Sequence, residues 1–164
     1  MCKRKYLFLD VDGVLNSFRT FELDEKKGVK FLDTWGQLDR RNLLCLKYFT
    51  SHTPNISIVL SSSWRGHELH ERKLLAVFKE VGIPEWIDIT PRISPYIGRG
   101  NEIQSWMDKH GVNKEDIVIF DDDCDMLHLN DRLVKTSFIF FFLGGGLCYR
   151  HLKKAWEILE EKSG

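Results

Sequence analysis

Three short apolar runs punctuate the chain, and each stops abruptly at polar residues. Tyr6 to Leu9 ends at Asp10, Ile56 to Leu60 at Ser61-Ser62-Ser63, and Ile117 to Phe120 at Asp121-Asp122-Asp123. Unbroken runs of this length fit strands buried on both faces of a parallel sheet. Between them apolar residues recur with helical spacing, at Leu43, Leu44, Leu46 and Phe49 within Leu38 to Phe49, then along Glu68 to Val81 and Glu102 to His110. Leu133 to Thr136 reads as a further strand. Tyr149 to Lys162 reads as a closing helix with Leu152, Ala155, Trp156 and Leu159 on one side. Strands alternating with helices predict an α/β fold with a doubly wound, Rossmann-like parallel sheet, whose ligands bind beyond the carboxyl ends of the strands. The polar clusters fall at that edge.

Two segments stand outside this alternation. Between the first strand and the first helix, residues 17–33 carry SFRTFEL and VKFLD around the charged, glycine-bearing DEKKG, and this reads as a small hairpin insertion beside the site. Near the end, FIFFFLGGGL joins six apolar residues to three glycines. It fits an edge strand, a loop packed on the core or a self-association surface, with core packing ranked first. No repeat, low-complexity linker or interior boundary interrupts the chain, so residues 1–164 read as one domain.

Composition narrows the class without naming a partner. A chain of 164 residues, 43% hydrophobic and 29% charged, is long enough for one core and has the profile of a folded soluble domain. Lys and Arg number 24, Asp and Glu 24. That balance removes the basic excess common in nucleic-acid-binding domains, leaving only a local basic patch open. Cys2, Cys45, Cys124 and Cys148 are widely spaced and form no CxxC pair, which argues against a zinc site or a disulfide framework and favours reduced thiols in the cytoplasm. The start, MCKRKYLFLD, reaches an aspartate too soon for a signal peptide. The run from Phe138 to Leu143 is far short of the roughly 20 residues that span a bilayer, so no membrane partner is expected.

Chemistry concentrates in four places. In FLDVDGV, Asp10 and Asp12 lie two residues apart at a strand end, where one carboxylate can attack phosphorus, the other can protonate a leaving oxygen, and both can help hold a hard cation. A turn with surface acids is the plain alternative, since DG is a common turn pair. Ser61, directly after the second run, offers a small hydroxyl to a phosphate oxygen, although serines at a helix start are ordinary caps. Arg99, ahead of the helix NEIQSWM, can neutralise a transferring phosphoryl group, although a lone arginine is usually solvated. In IVIFDDDCDM the acids crowd one strand end, a repulsion that a divalent cation relieves.

In order and placement these four signals resemble the motifs of the haloacid-dehalogenase-like (HAD) superfamily. FLDVDGVLNS, IVLSSSWR, RGNEIQSWM and VIFDDDCDM, followed by RLVKT, are most similar to the HAD domain of Swiss Army Knife RNA repair proteins. The resemblance implies a HAD-type phosphomonoester hydrolase. Asp10 would be the nucleophile that forms an aspartyl-phosphate, and Asp12 the general acid and later base. Ser61 would bind phosphate with help from Ser62, and Arg99 would take the place usually held by a lysine or arginine. Mg2+ would be held by Asp10, by the backbone carbonyl of Asp12, and by Asp122 with Asp121 in support, Asp123 and Asp125 being further registers of the same cluster.

The spacing also bears on the substrate. Between Ser61 and Arg99 there is room for one helix and one strand, and after Asp12 only for a hairpin, so no large cap is expected over the site. An open site suits a large substrate such as the phosphorylated end of a nucleic acid, with Trp64 and Arg65 beside the serines as an aromatic and a cationic contact. Trp64 fits a packing role equally well. A phosphatase of free nucleotides or other small phosphate esters is the competing enzyme, and a catalytically inactive binding module the competing class.

Overall fold

The computed structural model describes residues 3–94, 96–139 and 145–160. Five parallel strands form one sheet, β1 (Lys5–Leu9), β2 (Ile56–Leu60), β3 (Asp88–Ile89), β4 (Ile117–Asp121) and β5 (Leu133–Lys135), in the order β3-β2-β1-β4-β5. The helices are α1 (Phe18–Lys27), α2 (Arg40–Ser51), α3 (Glu68–Val81), α4 (Arg99–His110) and α5 (Tyr149–Glu160). This is the expected doubly wound arrangement, with β1 at its centre.

The pleat of β1 explains the two layers of helix. Leu7 and Leu9 point to one face and pack with Ile58, Leu60, Val118 and Phe120 against Leu43, Leu46 and Phe49 of α2, Leu74 and Phe78 of α3, and Leu152 and Ala155 of α5. Phe8 points the other way and packs with Val59 and Ile119 against Ile103, Trp106 and Met107 of α4. Because side chains alternate along a strand, an apolar run without alternation must be covered on both sides. No helix among the described residues is long and apolar enough to cross a membrane.

Residues 17–33 correct the expectation of a hairpin, because they hold α1 followed by turns. Ser17 supplies a capping box with Thr20 at the start, and Gly28 closes the helix in the left-handed conformation at φ 68°. These caps settle the segment as a helix. DEKKG, read as the turn between two strands, is the last helical turn and its stop signal. The expected loop or strand at FIFFFLGGGL lies partly outside the described residues, at 140–144. Its described ends are tied to the fold by backbone bonds: Phe138 accepts a hydrogen bond from the Phe18 N–H at 2.9 Å, and the Gly146 N–H donates to Ser137 O at 2.8 Å.

Candidate active site

Three adjacent strands deliver the site. The ladder continues one step past β1, where the Asp10 N–H donates to Phe120 O at 2.9 Å, and one step past β2, where the Ser61 N–H donates to Leu9 O at 2.9 Å. These bonds fix Asp10, Ser61 and the end of β4 side by side at the carboxyl edge of the sheet. Carboxylate oxygens of Asp10, Asp121 and Asp122 all lie within 4.8 Å of one another. The Arg99 guanidinium joins them, with Nη1 3.5 Å from Asp10 Oδ1 and Nε 3.7 Å from Asp121 Oδ2. Arg99 also donates to Ser61 O, which ties the first turn of α4 to the end of β2.

The electrostatics are those of a site short of positive charge. Burial, followed by the charge of Asp10, pushes Asp121 up to about 7 and Asp122 up to about 6 from the ordinary 3.8. Burial also raises Asp10, against the pull of Arg99. One guanidinium does not offset three crowded carboxylates. Among the described residues of the site, three buried polar atoms make no hydrogen bond: Ser61 Oγ, Asp121 Oδ2 and Asp125 Oδ1. A divalent cation fits this donor set, because hard cations take carboxylate oxygens and their charge reverses the repulsion. The unpartnered Ser61 hydroxyl, fully buried, fits a phosphate oxygen.

Gly13 makes this closeness possible. A Cβ built there would stand 2.3 Å from the Asp122 carboxyl, and its φ of +75° is one that residues with side chains avoid. Its carbonyl accepts from Thr136 Oγ1 at 2.6 Å, which pins the loop after β1 to the end of β5. Gly100 plays a similar part on α4, where a Cβ would meet Met126 O at 2.3 Å.

Asp12 is placed apart from the three clustered carboxylates. Its Oδ1 accepts from Asn16 Nδ2 at 2.9 Å, and both of its oxygens accept from the Trp64 indole, at 3.2 and 3.1 Å. The Asp12 side chain therefore takes no part in the candidate metal cluster. Ser62 lies beside Asp10: its hydroxyl hydrogen-bonds that carboxylate and also accepts the Trp64 N–H at 3.2 Å.

The two residues expected to touch substrate show little surface, and their polar groups are engaged within the protein. Trp64 and Arg65 are each 4% exposed. Arg65 donates to the carbonyls of Ser61, Ser62 and Thr90 and pairs with Glu102 at 2.5 Å, so its guanidinium is a strut between the serine loop and α4. Their place directly after a buried strand left room for either role, and the partners that decide it are distant in sequence. Glu102 escaped the sequence reading for the same reason, and Asn16, four positions from Asp12, was not singled out either. Asp125, read as a further register of the metal cluster, lies outside the three clustered carboxylates. Asp125 accepts the Arg99 N–H at 2.8 Å and so caps α4 at the site. An acid four residues past the end of β4 gave the signal without the role.

This fold and this arrangement of residues are those of a haloacid-dehalogenase-type domain. The chain belongs to the family described as the HAD domain in Swiss Army Knife RNA repair proteins, whose model matches residues 6–140. No protein of curated function matches the sequence. Among solved structures, the cobalt-bound deoxy-D-mannose-octulosonate 8-phosphate phosphatase from Haemophilus influenzae is similar at 19% identity and a TM-score of 0.40. The match covers 76% of this chain and 61% of that one, so the chain spans under two thirds of that protein's length.

Proposed function

We propose that the chain is a cytoplasmic, magnesium-dependent phosphatase that hydrolyses a terminal phosphate of a nucleic-acid strand through an aspartyl-phosphate at Asp10. The observation that carries the chemistry is the convergence of Asp10, Asp121 and Asp122 within 4.8 Å, with Arg99 alongside. Above neutral pH such a set is balanced by a bound cation, and a cation so held prepares the place for a phosphate.

Each protein group has a part. An Asp10 oxygen attacks phosphorus, and the bond from phosphorus to the leaving oxygen breaks as that oxygen takes a proton from Asp12. Asp12, now a carboxylate, takes a proton from the water that attacks the aspartyl-phosphate, which releases inorganic phosphate and restores Asp10. Trp64 and Asn16 hold Asp12 in place for both transfers. The Val11 N–H donates to Asp10 Oδ1 at 2.8 Å and fixes the rotamer of the nucleophile. Ser61 Oγ and Arg99 orient the non-bridging phosphate oxygens. Asp10, Asp122, Asp121 and the Asp12 carbonyl would hold Mg2+, which when bound would supply charge neutralisation to the nucleophile and the phosphate.

Support for the strand-end substrate comes from the family, whose members are domains of RNA repair proteins, and from an insertion after Asp12 that is only a short helix and turns. Widely spaced cysteines support the compartment. A second reading, hydrolysis of free nucleotides, is favoured by one observation: the Arg65 guanidinium is engaged by Glu102 and by three carbonyls, so it is not a free cation for the phosphates of a strand.

The test is a panel of phosphorylated oligonucleotides, mononucleotides and phosphopeptides, assayed with magnesium and with chelator. Asp10→Asn protein is the control and should fold but not turn over. Oligonucleotides should show the highest specificity constant. A mononucleotide preference selects the second reading, and hydrolysis by Asp10→Asn protein removes the mechanism.

A further inference from the structure

Asp12 opens onto a cleft of 590 Å³ whose lining does not include Arg99. Its lining falls into two groups of rings. Phe21 of α1 and Phe138 lie 5.7 Å apart between centroids, tilted by 52°. Trp64, His70 and His67 form a second chain, with centroids 4.9 Å apart from Trp64 to His70 and 5.5 Å from His70 to His67. Neither lysine nor arginine lines this cleft among the described residues. The neighbouring cleft of 400 Å³ contrasts with it, since Arg65, Arg92 and Arg99 all line that one.

We infer that the ring-lined cleft beside Asp12 is the leaving-group subsite and that it takes a nucleoside, its base stacked on Phe21 and Phe138. The inference rests on the general-acid role of Asp12 proposed above. The group that protonates the leaving oxygen must touch it, so the alcohol that departs lies on the Asp12 side. A cleft walled by aromatic rings and lacking fixed cations suits an uncharged, flat, ring-bearing alcohol, because base-aromatic stacking needs a π-face and no particular sequence. A small polyol would leave these rings in contact with water. Phe21 and Phe138 are both half-buried, so each retains exposed ring surface for a ligand.

The cleft also gives a role to two segments outside the catalytic motifs. α1 contributes Phe21, and the segment after β5 contributes Phe138. The two are joined by the hydrogen bond from the Phe18 N–H to Phe138 O at 2.9 Å. A Cβ on Gly145 would meet Ser17 Cβ at 2.6 Å and Phe138 O at 3.0 Å, so Gly145 lets this wall close against the start of α1.

The test has a kinetic arm and a binding arm. In the first, the specificity constants of Phe21→Ala and Phe138→Ala proteins are measured on adenosine 3′- and 5′-monophosphates, on oligoadenylates with the same terminal phosphates, and on glycerol 1-phosphate. The ratio of nucleoside ester to glycerol ester should fall by about tenfold in each variant, and Phe21→Tyr should restore it. A fall for both mononucleotide and oligonucleotide makes a single nucleoside the recognised unit, and a fall confined to the oligonucleotide makes the strand end its source. An unchanged ratio overturns the subsite. In the second arm, adenosine is titrated into Asp10→Asn protein with and without Phe21→Ala. Weaker binding in the double variant supports the subsite, and equal binding overturns it. This arm decides the subsite even if no phosphate ester is hydrolysed, an outcome that counts against the phosphatase reading alone.

Discussion

The indole Nε1–H of Trp64 donates to both carboxylate oxygens of Asp12, at 3.2 and 3.1 Å, across 52 positions of sequence. With Asn16 on Oδ1 at 2.9 Å, this leaves Asp12 one orientation. Trp64→Phe keeps the packing ring and removes the donor. We expect kcat to fall by about tenfold with KM little changed, against a loss of about a hundredfold or more for Asp12→Asn. Steady-state kinetics of the two variants checks this, and a Trp64→Phe protein with wild-type kcat would remove the positioning role.

Arg65 should matter for stability and not for substrate choice. Removing its side chain leaves Glu102 buried without its cation and the carbonyls of Ser61, Ser62 and Thr90 without this donor. Breaking a buried pair in this way costs about 3 to 5 kcal/mol. Arg65→Ala is therefore expected to lower the midpoint of urea unfolding sharply, and to reduce activity on mononucleotides and oligonucleotides by the same factor. A selective loss on oligonucleotides would return Arg65 to the role of a substrate contact.

The acids of the site set a pH dependence whose sign is opposite to that of an ordinary surface carboxylate. Asp10, Asp121 and Asp122 are all raised in the folded protein, Asp121 to about 7 and Asp122 to about 6. Between 3.8 and about 7 the folded state binds more protons than the unfolded state, so metal-free protein loses stability as pH rises through this window. Below it these groups are protonated in both states and contribute no penalty. Thermal melts of chelated protein should show this decline, and Asp121→Asn should flatten it. A midpoint that rises steadily from pH 4 to pH 7 in Asp121→Asn and wild type alike would show that these acids do not govern it.

Magnesium should reverse that loss. At neutral pH its addition is expected to raise the melting temperature by several degrees, by binding only the folded state, and to switch on activity that excess chelator removes. Calcium should support little turnover, since its larger and looser shell misplaces the attack. Gly13→Ala gives an independent check, because the new Cβ collides with the Asp122 carboxyl at 2.3 Å. Both the magnesium-dependent shift in melting temperature and the activity should be lost in that variant. Full activity in chelator would end the metal assignment.

Much of this protein was determined by patterns within a few residues of each other. The runs ending at Asp10, Ser61 and Asp121 became the three central strands, because an apolar stretch bounded by polar residues has only the sheet interior as its place. Glu68 to Val81 became α3 with the expected ends, since its apolar spacing and Gly82 both act locally. Tertiary structure decided what side chains do once distant segments meet. The partners of Arg65 and Trp64 are Glu102 and Asp12, and no spacing rule reaches them. Residues 17–33 had charged and apolar residues that suit a hairpin or a helix, and the capping of Ser17 with Thr20, the turn at Gly28 and the bond to Phe138 selected the helix. Side-chain hydrogen bonds form where the fold leaves a partner within reach, so the candidate acids were visible in the sequence and the groups that hold them were visible only in three dimensions.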